Sequence, residues 1–170
     1  MTVTRERVQL LRKPPWLKVR LPHAEESRKI RTTLAGLKLH TVCQEAACPN
    51  IAECFACGIA TFLILGNICT RNCLYCNVQH GTPLPAEERE VDQLIAAVQE
   101  MNLKYVVITS VTRDDLPDGG AGIFAECIKG LREARPGCKI EVLIPDFQGN
   151  VAALEKVMEA RPDVINHNME

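Results

Sequence analysis

The sequence lacks the features that mark a nucleic-acid-binding or membrane protein. It has 20 lysines and arginines against 21 aspartates and glutamates, which gives a net charge of −1, and its basic residues are dispersed. A nucleic-acid footprint needs a strong basic excess on one face. The longest strongly apolar run, Thr61–Leu65, is far too short to span a bilayer. Residues 1–16 contain no apolar run of signal-peptide length. These absences predict a soluble, cytoplasmic protein with no nucleic-acid or membrane partner.

Cysteine, by contrast, is abundant, with nine residues in a chain of 170. Six of them fall into two tight sets: Cys43, Cys48 and Cys54, then Cys69, Cys73 and Cys76. The odd total and this clustering favour metal ligation over disulfides. Thiolates select iron–sulfur clusters, zinc or copper(I), and these spacings favour iron–sulfur. Three thiolates from one loop leave the fourth iron of a cubane cluster open to a substrate or cofactor.

Residues 1–58 differ in pattern from the rest of the chain. The prolines in Arg12–Leu17 predict an extended segment, because a proline disfavours the helical conformation in the residue before it. Apolar residues near helical spacing predict a short helix within Ser27–Leu39, and the first cysteine set follows. We therefore interpret residues 1–58 as an amino-terminal, cysteine-rich extension and residues 59–170 as a separate domain.

From residue 59 onward, strand and helix patterns alternate regularly. Four apolar runs predict strands at Ala60–Leu65, Lys104–Thr109, Lys139–Ile144 and Asp163–Asn166. Apolar residues at helical spacing predict helices between them, beginning near Val91, Ile123 and Val151. Alternating strands and helices indicate an α/β fold with a parallel sheet. Four strands make half of a (βα) barrel, which needs roughly 250 residues. We therefore expect the amino-terminal portion of a longer protein, or one half of a split one.

Polar residues follow each of these strands. The second cysteine set comes after strand 1, and the later strands are followed by Thr109–Asp115, Pro145-Asp146 and Asn166-His167-Asn168. The carboxyl ends of barrel strands meet at one face, where the chemistry of such barrels lies. The sequence therefore predicts that the second cysteine set and these polar residues share one site.

A C-x3-C-x2-C loop directly after the first barrel strand, with Tyr75 before its last cysteine, resembles the radical S-adenosylmethionine (SAM) superfamily. The resemblance implies that Cys69, Cys73 and Cys76 hold a [4Fe–4S] cluster whose open iron binds SAM. An electron from that cluster then cleaves SAM to a 5′-deoxyadenosyl radical, which abstracts hydrogen from an unactivated carbon. Tyr75 is expected near the adenine. Asn166 and Asn168 either bind SAM or substrate, or tie strand ends together. No catalytic side chain is predicted beyond the cluster ligands.

With the first cysteine set included, the chain is similar to the lipoyl synthase family from about residue 13 to its end. The matching segments are Lys13-Pro14 with Trp16–Val19, Leu39–Cys43, Cys48–Ile51, Glu53-Cys54, Ala60–Gly66, Arg113–Gly120, Ile144–Phe147 and Asn166–Asn168. The resemblance implies insertion of two sulfur atoms at C6 and C8 of a protein-bound octanoyl group, with one SAM used for each hydrogen abstracted. It also implies that Cys43, Cys48 and Cys54 hold an auxiliary [4Fe–4S] cluster, which is consumed as the sulfur donor.

One departure from the family concerns the auxiliary cluster. Its fourth ligand in the family is a serine near the carboxyl terminus, in an Arg-Ser-Ser-Tyr-like segment, and this sequence stops before any such segment. We therefore expect these 170 residues alone to be impaired or inactive. The partners implied are an octanoylated lipoyl carrier domain, from a 2-oxoacid dehydrogenase E2 or the glycine cleavage H protein, and a ferredoxin or flavodoxin type electron donor.

Other interpretations stay open at this point. A biotin-synthase-like or methylthiotransferase-like enzyme shares the C-x3-C-x2-C loop but places its auxiliary ligands elsewhere. A non-catalytic iron–sulfur or zinc module is a third possibility. Cys127 and Cys138 are expected in the core, and Cys57 either in the core or as a substitute ligand. Asp118-Gly119-Gly120 either admits a ligand close to the backbone or simply forms a turn.

Overall fold

The computed structural model describes Pro14, Thr32, Gly36 and residues 40–45, 48, 50–85 and 89–168. Its strands are β1 (His40–Thr41), β2 (Ile59–Ile64), β3 (Ile68–Cys69), β4 (Gln79–His80), β5 (Tyr105–Ser110), β6 (Lys139–Ile144) and β7 (Val164–His167). Its helices are α1 (Val42–Glu45), α2 (Ile51–Ala56), α3 (Glu90–Glu100), α4 (Ala121–Ala134) and α5 (Val151–Glu159), with a short 3-10 helix at Phe147–Gly149.

The main sheet has the strand order β1-β2-β5-β6-β7. The last four strands are parallel to one another, and α3, α4 and α5 connect them in turn. β1 is antiparallel to β2, with His40 opposite Leu63 and Thr41 opposite Phe62. A parallel sheet with one helix between each pair of strands confirms the predicted α/β fold, a partial (βα) barrel.

The core explains why these strands are continuously apolar. Phe62, Ile108 and Val142 lie side by side across β2, β5 and β6, and all three are fully buried. They belong to one buried cluster with Leu94 of α3 and Phe124 of α4. Because helices cover this face of the sheet, apolar side chains are required there. Cys127 and Cys138 are also buried in this core, as expected.

The opposite face of the sheet carries a mixed row of side chains. Leu63, Thr109, Leu143 and Asn166 are cross-strand neighbours on β2, β5, β6 and β7. In a closed barrel this face becomes the interior. Leu63, Thr109 and Leu143 of this row line the cavity described below.

The sequence predicted the four parallel strands to within one residue at each end. The two-residue strands and the two short helices around the first cysteine set were not predicted. Of the predicted helix Ser27–Leu39, only Thr32 and Gly36 are described, and both are helical. The rest of that helix, and the extended segment Arg12–Leu17 apart from Pro14, lie outside the described residues. The division between residues 58 and 59 stays a prediction.

One edge of the described sheet is open. All four residues of β7, the last strand in the described order, are exposed. Within the described part of the chain, no helix is both long enough and apolar enough to cross a membrane.

Candidate active site

The turn that leads from β2 into the second cysteine set is fixed by two charged side chains. The Glu90 carboxylate at the start of α3 accepts hydrogen bonds from the Leu65 N–H at 2.8 Å and the Gly66 N–H at 3.2 Å. The Arg113 guanidinium, which is buried, donates to the Leu65 carbonyl at 3.3 Å and pairs with Asp115. Buried backbone groups thus have partners on both sides of the turn.

Leu65 itself adopts a left-handed backbone conformation with φ of 67° and is 1% exposed. The Leu65 side chain fills the space that is left because Gly120 has no side chain. A Cβ added at Gly120 would lie 2.2 Å from Leu65 Cδ1, and Gly120 has φ of 89°. Gly120 therefore serves packing at this turn. A neighbouring carboxylate, that of Asp118, accepts from the Gly120 and Gly122 N–H groups and so caps the first turn of α4. The Asp118-Gly119-Gly120 segment thus forms a turn and a cap.

Hydrogen bonds join the start of the cysteine loop to the loop after β5. The Thr70 N–H and hydroxyl each donate to the Thr112 carbonyl at 3.0 Å, and the Asp114 N–H donates to the Thr70 hydroxyl. The Cys69 sulfur accepts backbone N–H groups from Thr112 at 3.2 Å and Arg71 at 3.4 Å. Backbone donors to sulfur are a means by which proteins tune iron–sulfur clusters. The Cys69 position is therefore suited to a thiolate ligand.

Arg71, between the first two cysteines of the loop, is bound by two carboxylates. Its guanidinium donates to Asp114 from Nε at 2.7 Å and from Nη2 at 2.9 Å. It also donates to Asp146, from Nη1 at 2.9 Å and from Nη2 at 2.7 Å. These contacts raise the pKa of Arg71, lower the pKa of Asp114 and hold the pKa of Asp146 at about 2. All three groups are therefore charged at neutral pH.

An open cavity of about 190 Å³ lies at the carboxyl ends of the parallel strands. Its lining includes Cys69, Cys73 and Cys76 together with Tyr75 and Asn168. The structure thus brings five of the sequence-predicted site residues to one cavity. Asn166 does not line it, since its side-chain amide donates to Glu141 at 2.5 Å. Whether Tyr75, Asn166 or Asn168 contacts SAM stays a prediction.

The residues around this cavity fit an iron–sulfur cluster by their chemistry. Three thiol side chains share it, and thiolates are the ligands of such clusters. Ser110 also lines the cavity, and its buried hydroxyl has no hydrogen-bond partner among the described residues. A buried hydroxyl without a partner is costly, so a polar ligand suits this position. No three His, Cys, Asp or Glu side chains are already gathered around a single metal position in the described residues.

The first cysteine set lies on two short helices. Cys43 is in α1, Cys54 is in α2, and Cys48 is between them, where its N–H donates to the Cys43 carbonyl at 3.0 Å. Burial raises the pKa of the Cys54 thiol, and the neighbouring Cys43 and Cys48 raise it further. The Cys54 thiol is therefore within electrostatic reach of both Cys43 and Cys48. Cys57, at the end of α2, is exposed, so the core position considered for it is wrong.

Two residues that shape this site were not predicted as site residues: Arg71 and Glu90. Arg71 had a recognisable signal, since it is a basic residue inside the cysteine motif and two strand ends carry aspartates. Glu90 had none, because its partners are backbone N–H groups that any residue provides.

Comparison with known families agrees with this geometry. A model of the radical SAM superfamily matches residues 63–170, which include the second cysteine set and all four parallel strands except the start of β2. The chain belongs to the radical SAM superfamily. A second model, the N-terminal domain of lipoyl synthase of the radical SAM family, matches residues 1–48 of this radical SAM protein.

The similar relatives are lipoyl synthases. Those of Haemophilus influenzae (strain PittGG) and Glaesserella parasuis serovar 5 are each 55% identical over 166 residues, covering 95% of this chain and 51% of the relative. That of Oleidesulfovibrio alaskensis is 52% identical over 170 residues, covering 100% of this chain and 58% of the relative. The chain spans about half the length of these relatives. The resemblance to their amino-terminal half, predicted from the sequence, is confirmed.

Proposed function

We propose that this radical SAM domain serves a lipoyl synthase reaction, the insertion of sulfur at C6 and C8 of a protein-bound octanoyl group. The observation that carries the proposal is the strand-end cavity lined by Cys69, Cys73 and Cys76, together with the first cysteine set, which precedes them in the chain. Radical chemistry suits this substrate because its carbons carry no group that a side-chain acid or base can activate.

Each cysteine set has its own role in this proposal. Cys69, Cys73 and Cys76 would hold a [4Fe–4S] cluster, which together with SAM would supply a carbon radical able to abstract hydrogen. Cys43, Cys48 and Cys54 would hold the auxiliary [4Fe–4S] cluster, which would provide the sulfur. The remaining cavity wall is largely apolar and restricts water near reactive species; it includes Val42, Leu63, Val111, Leu143 and Ile144.

The partners follow from the same proposal. The octanoyl group arrives on a lipoyl carrier domain of a 2-oxoacid dehydrogenase E2 or of the glycine cleavage H protein, and a ferredoxin or flavodoxin supplies electrons. The exposed Tyr75 lines the cavity that an acyl chain must enter, and its exposed neighbour Leu74 in the cysteine loop adds apolar surface. A cytoplasmic location stays a prediction.

The test begins with anaerobic reconstitution of the chain with iron and sulfide. We expect about eight irons per chain, four for each cluster. Because the chain alone is expected to be impaired, SAM and dithionite are added to the chain joined to the remaining half of a lipoyl synthase relative, which should then yield 5′-deoxyadenosine. Iron binding by that joined protein without any SAM cleavage under reducing conditions would contradict the radical role.

Sulfur insertion needs a second assay because the chain spans only about half of its relatives' length. An octanoylated carrier peptide is offered to the chain alone and to the chain joined to the remaining half of a lipoyl synthase relative. We expect lipoyl product from the joined protein and little from the chain alone. A joined protein that cleaves SAM but forms no lipoyl product would argue for a different radical substrate.

A zinc-binding alternative has one observation in its favour. Cys54 with Cys57 and Cys73 with Cys76 are two C-x2-C pairs of the kind found in zinc ribbons. Of these four cysteines, however, only Cys73 and Cys76 line the strand-end cavity. Zinc without acid-labile sulfide in the purified protein would support this alternative and overturn the cluster assignment.

A further inference from the structure

Arg71 lies within the cysteine loop but its side chain turns back to the barrel. It follows Cys69 by two residues and precedes Cys73 by two. Its guanidinium is only 23% exposed, although the neighbouring Leu74 and Tyr75 are largely exposed. An arginine on a mobile surface loop would instead be expected in water.

The two carboxylates that bind Arg71 come from two different strand ends. Asp114 follows β5 and Asp146 follows β6, and each accepts two N–H groups of the guanidinium at 2.7 to 2.9 Å. Planar two-point pairing of this kind fixes direction as well as distance. One side chain of the cysteine loop is thus tied to two neighbouring strands of the sheet.

Asp114 and Asp146 are themselves held in place by backbone groups. The Asp114 N–H donates to the Thr70 hydroxyl, which links the carboxylate's own backbone to the cysteine loop. One oxygen of Asp146 accepts the Gln148 N–H at 2.9 Å. The receiving groups are therefore positioned before the arginine binds them.

The geometry points to a positioning role for this ion-pair group, which we call the Arg71 clasp: Arg71, Asp114 and Asp146 together fix the second cysteine loop on the strand ends, so that Cys69 and Cys73 are presented to an iron–sulfur cluster. The clasp acts through the loop: the Arg71 side chain lines the cavity, but its guanidinium is bound by the two carboxylates. The inference rests on the cluster assignment of the proposed function, and makes no use of the sulfur-insertion step.

The first test measures how firmly the site holds iron. In a background with Cys43, Cys48 and Cys54 changed to alanine, only the second set can hold a cluster, and the rate of iron removal by a chelator is followed anaerobically. Arg71→Gln should speed removal roughly tenfold, as loss of groups that orient metal ligands commonly does. Arg71→Lys should remain clearly faster than the parent, because an ammonium cannot bind two carboxylates through a planar fork.

The matched control is Arg132→Gln, which removes a more exposed arginine, 38% against 23% for Arg71, that pairs with Asp163 away from both cysteine sets. Iron removal from this variant should match the parent. The combination of Arg71→Gln with Asp114→Asn should be no faster than Arg71→Gln alone, since both break one unit. Equal rates for Arg71→Gln and the control, or simple additivity in the combination, would overturn the clasp.

A second readout separates the clasp from the proposed function. If the parent protein takes up no iron and sulfide, the cluster assignment fails, and the clasp is then measured in metal-free protein by the rate at which iodoacetamide labels Cys73. Arg71→Gln should raise that rate at least about threefold, because the loop opens more easily. An unchanged rate contradicts the clasp. Should Arg71→Gln fail to fold by circular dichroism, Asp146→Asn, which removes only the more exposed carboxylate, provides the same comparison.

Discussion

The segment that carries Cys43, Cys48 and Cys54 and the loop that carries Cys69, Cys73 and Cys76 are held in place by different kinds of contact. The first is built from two short helices with local backbone hydrogen bonds, and it joins the barrel through the pairing of β1 with β2. The second has almost no regular structure of its own. It is fastened by side chains and backbone groups to the loops after β5 and β6.

This difference matches the roles proposed for the two sets. A site that binds SAM must present an open iron in a reproducible position, and preorganised geometry comes from rigid neighbouring elements. A cluster that gives up its sulfur has to be rebuilt. Among the described residues of the segment that carries the first set, Val42 alone lines the strand-end cavity, so most of this unit can change apart from the cavity. The two cysteine sets are therefore distinguished by their contacts as well as by their positions in the sequence.

The largest expected effect comes from removing one set at a time. Changing Cys69, Cys73 and Cys76 to alanine should lower 5′-deoxyadenosine formation by more than roughly a hundredfold, which exceeds the loss expected from removing groups that only orient metal ligands. Changing Cys43, Cys48 and Cys54 should leave SAM cleavage in place and remove about half of the bound iron. Cys138→Ala, in the core, is the control. Loss of SAM cleavage in both triple variants would break the division of roles.

A smaller effect is expected at the turn that launches the second set. Gly120→Ala would place a Cβ 2.2 Å from Leu65 Cδ1 at a positive φ, and should lower the free energy of unfolding by about 2–4 kcal/mol. Gly137→Ala is the matched control, since Gly137 has φ of 91° and nothing within 4 Å of its added Cβ. It should cost only about 1 kcal/mol of backbone strain. Urea unfolding measures both, and equal losses would show that Leu65 moves aside freely.

The smallest effect tests a region remote from both sets. The Ile140 N–H, Lys139 and Arg132 hold the pKa of Asp163 at about 2. A carboxylate with a lowered pKa stabilises the fold above about pH 4, and that contribution is lost as the pH falls toward 2. Asp163→Asn should therefore lower stability by roughly 1–2 kcal/mol at pH 7 and flatten its acid dependence. Thermal melts from pH 7 to pH 3 measure this, while the iron content of both sets should not change. A parallel loss of iron would show that the sites are coupled to the distant sheet edge.

The sequence sufficed for the parts of the fold that depend on local pattern. The four parallel strands were predicted because each contains an apolar run; in β2, β5 and β6 that run supplies the side chains buried on the helix-covered face, whereas β7 is exposed. β1, β3 and β4 were not, since a two-residue strand is defined by its partner rather than by its own residues. The exposure of Cys57 also depends on where α2 ends, which spacing alone does not show.

The candidate site also has features that the sequence predicts and one that only the structure shows. Its thiols follow from the motif and its location from the strand order, because parallel strands bring their carboxyl ends to one edge. The Arg71 clasp required the structure. It depends on how far two loops reach over that edge, and on which of the aspartates Asp114, Asp115 and Asp146 face the arginine.

The seat of Leu65 against Gly120 has a mechanical consequence. The Leu65 side chain, just before the cysteine loop, packs there directly against the backbone of Gly120 at the first turn of α4. A shift of α4 along its axis would therefore be carried directly into the turn at Leu65-Gly66, and from there to Cys69.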